Sequence, residues 1–139
     1  MTAVPNVEQP NSTSSAASDD DTLMALSLYT RRRSPTFTSD NQRSLLGAVL
    51  NGRPECVIAV LPTGSGKSIA IFGPILVESS GITIVITPYT ALRSQLAEQA
   101  HSFGIKFLNW CNRHENPNLT SMRLVIMITD DFFSNDAQL

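Results

Sequence analysis

The sequence predicts an α/β fold with a mostly parallel sheet flanked by helices. Between residues 41 and 128, apolar runs of strand length alternate with segments of helical periodicity, and a glycine-rich loop joins the first run to a helix. Strands buried on both faces of a parallel sheet have continuous apolar sequences, and strand–helix alternation is typical of such sheets with right-handed crossovers. With 139 residues, the chain has room for one such domain.

Residues 1–35 differ in composition from the rest of the chain. They are rich in Ser, Thr, Asn, Pro and Asp and offer too little apolar surface to offset the entropy of ordering, so we expect a disordered N-terminal tail. Within it, three aspartates precede the apolar run 22–29, which predicts a short helix because carboxylates favour a helix N-terminus. The basic run 31–33 suits a nuclear-import or phosphorylation element, although a solvated linker is the simpler interpretation.

The first elements of the predicted sheet follow residue 36. Residues 38–40 are suited to cap a helix over residues 41–50. The apolar run 55–60 predicts a strand that is buried on both faces. Residues 67–78 predict a helix in which Pro74 removes one backbone hydrogen bond.

The second part of this region supplies three more predicted strands. Residues 82–87 form another apolar run typical of a buried strand, and residues 90–103 predict an amphipathic helix that Gly104 ends. Residues 105–108 and 123–128 predict two further strands, separated by a polar loop. We therefore expect a sheet whose strands are joined by helices and loops.

A phosphate-binding loop is the strongest functional signal. It lies between a predicted strand and a predicted helix, the context that such a loop needs. Its glycines let the backbone turn tightly and approach phosphate oxygens, while successive N–H groups and the helix N-terminus attract the anion. Lys67 would contact the β and γ phosphates, and the Ser68 hydroxyl would ligate Mg²⁺. The predicted phosphate-binding residues are Thr63, Gly64, Ser65, Gly66, Lys67 and Ser68.

Composition narrows the cellular setting. The net charge of −2 argues against a small basic DNA-binding module, but not against a protein that holds a strand through a few local contacts. The N-terminus has neither the apolar core nor the positive start of a signal peptide, and the longest apolar runs are far shorter than the roughly 20 residues that span a bilayer. Cys56 and Cys111 have no metal-ligand spacing around them. We expect no membrane association and an intracellular protein, nuclear if the organism is eukaryotic.

The loop and three further stretches resemble RecQ-like superfamily 2 DNA helicases, from Phe37 to the C-terminus. The position six residues before Lys67 is Leu61, where the general loop pattern has glycine, and these helicases commonly relax that position. The resemblance implies a partial RecA-like P-loop domain, ATP and Mg²⁺ as cofactors, and nucleic acid as partner. It also implies that Gln42 reads the adenine edge, since a carboxamide both donates and accepts hydrogen bonds; an exposed glutamine on a helix is the alternative.

The segment Thr87–Gln95 resembles motif Ia of these helicases. It follows a strand, so it lies at the carboxyl edge of the sheet, where ligands bind. The helix that starts near Thr90 would direct free N–H groups at a nucleic-acid phosphate, with help from Arg93. DEAD-box RNA helicases usually carry an Arg-Glu pair that is missing here, which favours DNA over RNA. The predicted nucleic-acid-binding residues are Thr87, Pro88, Thr90, Arg93, Gln95 and Thr129.

Thr129 belongs to a segment with two interpretations. An apolar strand followed by Asp130-Asp131 has the pattern of a Walker B motif, whose carboxylate holds Mg²⁺. In the family, the Asp-Glu-x-His motif comes one strand–helix step later, and the segment at this distance from Lys67 is motif Ib, a contact with nucleic acid. No histidine or glutamate follows Asp131, so motif Ib is the favoured interpretation.

Residues 36–139 are accordingly interpreted as an incomplete helicase ATP-binding domain, truncated before the Walker B/DEAH motif. The family couples ATP hydrolysis to duplex unwinding, and we expect both activities to be lost in this chain, which has no complete catalytic set. We also expect poor solubility, because the strand at 55–60 would lack its neighbour and expose an open edge. The alternatives are a P-loop nucleotide-binding module without helicase ancestry and a non-catalytic interaction protein.

Overall fold

A computed structural model of the chain describes residues 19–51, 56–78, 81–115 and 118–133. This part of the chain forms a parallel three-stranded sheet with helices around it, which confirms the predicted α/β class. The strands are β1 (Thr83–Thr87), β2 (Phe107–Asn109) and β3 (Leu124–Ile128), and the helices are α1 (Asp19–Thr30), α2 (Asp40–Asn51), α3 (Ile69–Val77), α4 (Thr90–Ser102) and α5 (Thr129–Phe133). Short 3₁₀ helices cover Trp110–Glu115 and Leu119–Ser121.

The central strand β3 carries the core. It pairs with β1 on one side and with β2 on the other, both in parallel. Leu124 and Ile126 face α3 and α4, where they pack with Phe72 and Leu96, while Val125 and Met127 face the opposite side. Strand β3 confirms the strand predicted at 123–128, and it is buried because it has a neighbour along each edge and packing on each face.

The predicted burial of β1 on both faces is wrong. Val85 packs against the main core, but the alternate residues Ile84 and Ile86 are 62% and 54% exposed. Successive side chains of a strand point to opposite faces, and only one face of β1 is covered by the described residues. Its edge away from β3 also has no neighbouring strand in the described sheet.

The strand predicted over residues 55–60 does not form in the described residues 56–60; residue 55 lies outside them. This segment has no strand assignment, and its Ile58 and Val60 side chains are 88% and 91% exposed. A strand exists only when its backbone groups pair with another strand, and no described segment pairs with this one. The apolar pattern is therefore that of a buried strand without the partner that would bury it.

A third difference from the predictions concerns helix α1. The helix predicted at 22–29 covers Asp19–Thr30, and its Ala25 and Leu26 are buried against Leu46 and Ile69. Residues 19–30 therefore belong to the packed body instead of to a disordered tail, because one side of the helix finds apolar partners on α2 and α3. Residues 1–18 lie outside the described residues, and the predicted division at residue 35 stays a prediction.

The remaining elements are close to their predicted positions. Helix α3 begins at Ile69 instead of Lys67, because the two residues before it form a turn, and it contains Pro74 as predicted. Gly104 follows the end of α4 with a φ of 68°, a backbone conformation that glycine adopts without steric cost. Strand β2 begins two residues later than predicted. In the described ranges, none of the helices is both long and apolar enough to cross a bilayer.

Candidate functional site

The loop before α3 has the backbone geometry of an anion-binding turn. Gly64 and Gly66 have φ angles of 78° and 74°, in the left-handed region that side chains with a Cβ rarely adopt. The Ser65 N–H donates to the Pro62 carbonyl at 3.3 Å, and the Ile69 N–H donates to the Gly66 carbonyl at 3.3 Å. The loop is therefore a compact turn that leads directly into the first turn of a helix.

The loop presents unused hydrogen-bond donors. The backbone N–H groups of Gly64, Gly66, Lys67 and Ser68 make no hydrogen bond to a described residue. A Cβ built on Gly64 would meet no atom within 4 Å, so a ligand has room to approach the backbone there. Lys67 is exposed beside these donors. Free amides, an ammonium group and a helix N-terminus at one place suit a phosphate group.

A cleft of about 770 Å³ extends from this loop to the carboxyl end of β1 and to α4. Lys67 and Ser68 line one side, and Thr87, Pro88 and Gln95 line the other. Such a volume is sufficient for a small ligand. The two segments were predicted to bind different ligands, and they lie about twenty residues apart in sequence. The fold brings both onto one concave surface at the carboxyl end of the sheet.

The predicted nucleic-acid-binding residues in the turn between β1 and α4 differ in exposure to solvent. Thr87 is buried, and its hydroxyl accepts from the Tyr89 N–H at 3.4 Å, so this side chain shapes the turn. Pro88 and Thr90 are exposed at the start of α4. Tyr89, at the N-cap, provides no side-chain hydrogen bond to the helix. The first amides of α4 consequently lack the usual cap.

The ends of β1 and β3 are neighbours, since Thr87 and Ile128 are register partners. Thr129, half-buried, starts α5 immediately after β3. The Asp131 carboxylate accepts from the Ile128 N–H at 3.3 Å and lies 3.6 Å from the Arg93 guanidinium. Both charged side chains are largely shielded from solvent. Arg93, predicted to contact phosphate, is thus paired with a carboxylate in this structure.

A family model of the DEAD/DEAH box helicases matches residues 39–134, more than half of the chain. The chain belongs to this family. It carries part of an ATP-dependent helicase-like motor domain, in a family that uses ATP and Mg²⁺ and binds nucleic acid. The match begins at the residue before α2, so helix α1 lies outside it. A comparison with curated proteins finds no match to this chain.

The family uses ATP and Mg²⁺, and the loop residues are chemically suited to both. The free amides of Gly64, Gly66, Lys67 and Ser68 would hold the phosphates of ATP, with Lys67 as the neutralising charge. Ser68 does not cap α3 with its side chain, so its hydroxyl oxygen can serve as a ligand for Mg²⁺. Bound Mg²⁺ would neutralise phosphate charge. The loop is thus suited to a nucleotide with its cation.

Gln42 lies directly against the loop at residues 63–68. It is only 4% exposed, and its Oε1 atom accepts from the Thr38 N–H at 2.9 Å and from the Thr38 hydroxyl at 3.1 Å. Its Nε2 atom donates to the Gly66 carbonyl at 3.4 Å. The carboxamide oxygen is therefore fully engaged, and the Nε2 atom carries a second N–H group. The predicted pairing with adenine stays a prediction, and the structure adds a link between α2 and the loop.

One neighbour of the loop at residues 63–68 could not be predicted from the sequence. The Tyr29 hydroxyl of α1 donates to the Ser68 Oγ atom at 3.2 Å, across 39 positions of the chain. Tyr29 belongs to no motif that was identified, and it precedes the matched family region. A contact between side chains so far apart in sequence depends on how α1 packs, which no local pattern encodes.

Proposed function

We propose that this chain is the ATP- and DNA-binding part of the first motor domain of a RecQ-like helicase. The observation that carries the proposal is the shared cleft, in which Lys67 and Ser68 face Pro88 and Gln95. A motor must couple the binding of nucleotide to the binding of nucleic acid. This coupling is most direct where both ligands contact the same two packed elements of the fold. The cleft provides that arrangement between the phosphate loop and α4.

On the nucleotide side, the phosphates of ATP are held by the loop amides and Lys67. The open space before Gly64 and the crowded position of Gly66 serve different purposes: the former admits the phosphate, and the latter is pressed against Gln42. A Cβ at Gly66 would lie 2.3 Å from the Gln42 Nε2 atom. Adenine would meet the remaining N–H of Gln42, which can donate to a ring nitrogen.

On the nucleic-acid side, the uncapped N-terminus of α4 is the main phosphate contact. Its amides and the exposed Thr90 hydroxyl are suited to one backbone phosphate of a strand. Arg93 contributes after its pairing with Asp131 opens, and Thr129 extends the surface to the end of β3. DNA is the proposed strand, because residues 89–92 lack the Arg-Glu pair usual in DEAD-box RNA helicases.

We assign ATP hydrolysis to none of the described residues. Asp131, the candidate for a Walker B carboxylate, is held by Arg93 and by the Ile128 amide, and it does not line the cleft. This pairing supports motif Ib as the identity of the segment. We propose that these described residues bind nucleotide and that Asp131 does not act as the catalytic carboxylate.

The nucleotide site is tested by thermal unfolding with and without Mg²⁺-ATP. At a ligand concentration about 100 times Kd, wild type should gain about 2.7 kcal/mol of stability. Lys67→Ala should lose most of this gain, whereas Lys106→Ala, which removes an exposed lysine outside the cleft, should keep it. Equal stabilisation of wild type and Lys67→Ala would reject the loop as the phosphate site.

The choice of nucleic acid is tested by fluorescence anisotropy with labelled single strands of DNA and RNA of the same sequence. We expect tighter binding to DNA, and weaker binding to both strands as salt rises, because the contacts are to phosphates. Thr90→Pro removes the backbone amide and the hydroxyl at the start of α4. Helices tolerate proline at their first position, so the helix itself should be kept. Equal affinity for RNA would leave the phosphate contact in place and reject the preference for DNA.

A further inference from the structure

We propose that Tyr29 is a positioning residue for Ser68, the Mg²⁺ ligand of the phosphate loop. The inference rests on the proposed function, since it requires that the loop binds a nucleotide with Mg²⁺. It goes beyond it because Tyr29 belongs to α1, which precedes the region matched by the helicase family. The contact is the hydrogen bond of 3.2 Å from the Tyr29 hydroxyl to the Ser68 Oγ atom.

Ser68 needs an external support for its side chain. It is the N-cap residue of α3 with helical dihedral angles, and its hydroxyl makes no capping hydrogen bond to the helix. A serine side chain can occupy three staggered rotamers, and only an orientation that directs the oxygen into the cleft lets it ligate a cation there. The hydrogen bond from Tyr29 favours one rotamer before the ligand arrives.

The hydrogen-bond capacity of Ser68 allows both partners at once. A serine hydroxyl has one donor hydrogen and two acceptor lone pairs. Tyr29 occupies one lone pair as a donor, which leaves the other lone pair for Mg²⁺ and the hydrogen for a phosphate oxygen. Tyr29 therefore does not have to leave when the cation binds, and it acts through Ser68 without touching the ligand.

The Tyr29 hydroxyl is itself held by a rigid support. Its ring lies 5.6 Å from the Phe103 ring, which in turn lies 5.4 Å from the Phe72 ring in the main core. The Arg31 guanidinium lies over Phe103, 5.2 Å from the ring centroid, and donates to the Ser102 carbonyl. Helix α1 is thus attached to α4 at the end that carries Tyr29. A donor fixed in this way loses little entropy when it orients its acceptor.

The test compares wild type with Tyr29→Phe, which removes the hydroxyl and keeps the ring against Phe103. Binding of a fluorescent ATP analogue is measured at increasing Mg²⁺ concentration and separately in EDTA. We expect the Mg²⁺ concentration for half-maximal binding to rise about two- to tenfold, the range of one hydrogen bond, with no change in EDTA. In the Ser68→Ala background, Tyr29→Phe should have no further effect, because its target is gone.

The outcomes separate this inference from the proposed function. Equal Mg²⁺ dependence of wild type and Tyr29→Phe would overturn the inference while the nucleotide site stands, as would a lower Mg²⁺ requirement in the variant. A fall in affinity of the same size in EDTA would also overturn it, because it would indicate a general loss of loop structure. If wild type and Lys67→Ala bind the nucleotide equally, the proposed function fails and this inference fails with it.

A second measurement leaves Tyr29 in place. The chain has two tyrosines, Tyr29 and Tyr89, so a protein labelled with ¹³C at the tyrosine Cζ atoms gives two signals. Tyr89→Phe assigns them. Addition of Mg²⁺ to the ATP-bound protein should shift the Tyr29 signal, since cation binding changes the oxygen that accepts its hydrogen bond. A Tyr29 signal that does not respond to Mg²⁺ would contradict the proposal.

Discussion

Apolar segments with similar sequences lie in opposite environments in this protein. The central strand β3 is flanked by β1 and β2 and covered by α3 and α4, and its Ile126 is completely buried. By contrast, the edge strand β1 exposes alternate isoleucines, and residues 56–60 pair with no described strand and leave Ile58 and Val60 in solvent. The difference teaches that an apolar run becomes a buried strand only when a neighbouring strand satisfies its backbone.

Helices do not share this dependence. A helix satisfies its backbone hydrogen bonds within its own segment, so α1 needs only an apolar surface for Ala25 and Leu26, which Leu46 and Ile69 provide. A strand obtains its hydrogen bonds from another part of the chain. This contrast explains why the structure has more helix than predicted near the N-terminus and less strand than predicted before the phosphate loop.

The largest effect should come from the buried strand. Ile126→Ala should lower the free energy of unfolding by about 2–5 kcal/mol, because it leaves a cavity beneath α3 and α4. The matched change Ile58→Ala, on the exposed segment, should alter it by no more than about 0.5 kcal/mol. Urea unfolding followed by circular dichroism measures both. Equal destabilisation by the two variants would show that residues 56–60 are as buried in solution as β3 is.

A smaller effect should come from α1. Leu26→Ala should cost about 2 kcal/mol, at the low end for a buried leucine, because the helix lies at the margin of the core and can close over part of the cavity. Leu28→Ala changes an exposed leucine of the same helix and should have little effect. If the Leu26 variant unfolds at the same urea concentration as wild type, α1 does not belong to the cooperative unit.

The smallest effect on stability, and the clearest effect on self-association, should come from the exposed segment 56–60. Ile58→Lys with Val60→Lys should change the free energy of unfolding by less than about 0.5 kcal/mol, and should reduce self-association in sedimentation velocity. Exposed apolar segments and unpaired edges such as that of β1 favour pairing between chains. Met24→Lys with Leu119→Lys adds the same charge at exposed positions elsewhere. An equal reduction by this control pair would assign the effect to net charge.

Much of the candidate site was predictable from sequence. The loop at 63–68 was identified because glycine conformations, successive amides and a helix start are properties of a few consecutive residues. Its observed φ angles at Gly64 and Gly66 agree with that interpretation. The contacts of Gln42 were harder to predict, since its carboxamide could face either a ligand or the protein, and it contacts Thr38 and Gly66. The pairing of Arg93 with Asp131 was equally hard to predict, because it joins two helices, α4 and α5, that are far apart in sequence.

The amino-acid sequence by itself determined the α/β class, the parallel direction of the strands, the positions of α2, α3 and α4 to within about two residues, and the phosphate loop. These features follow from interactions between residues that are close in sequence or from periodic patterns. Only the tertiary structure decided that α1 belongs to the core, that residues 56–60 are exposed, and that Tyr29 meets Ser68. Burial and side-chain pairing depend on which distant segments come together, and a local pattern carries no information about its partner.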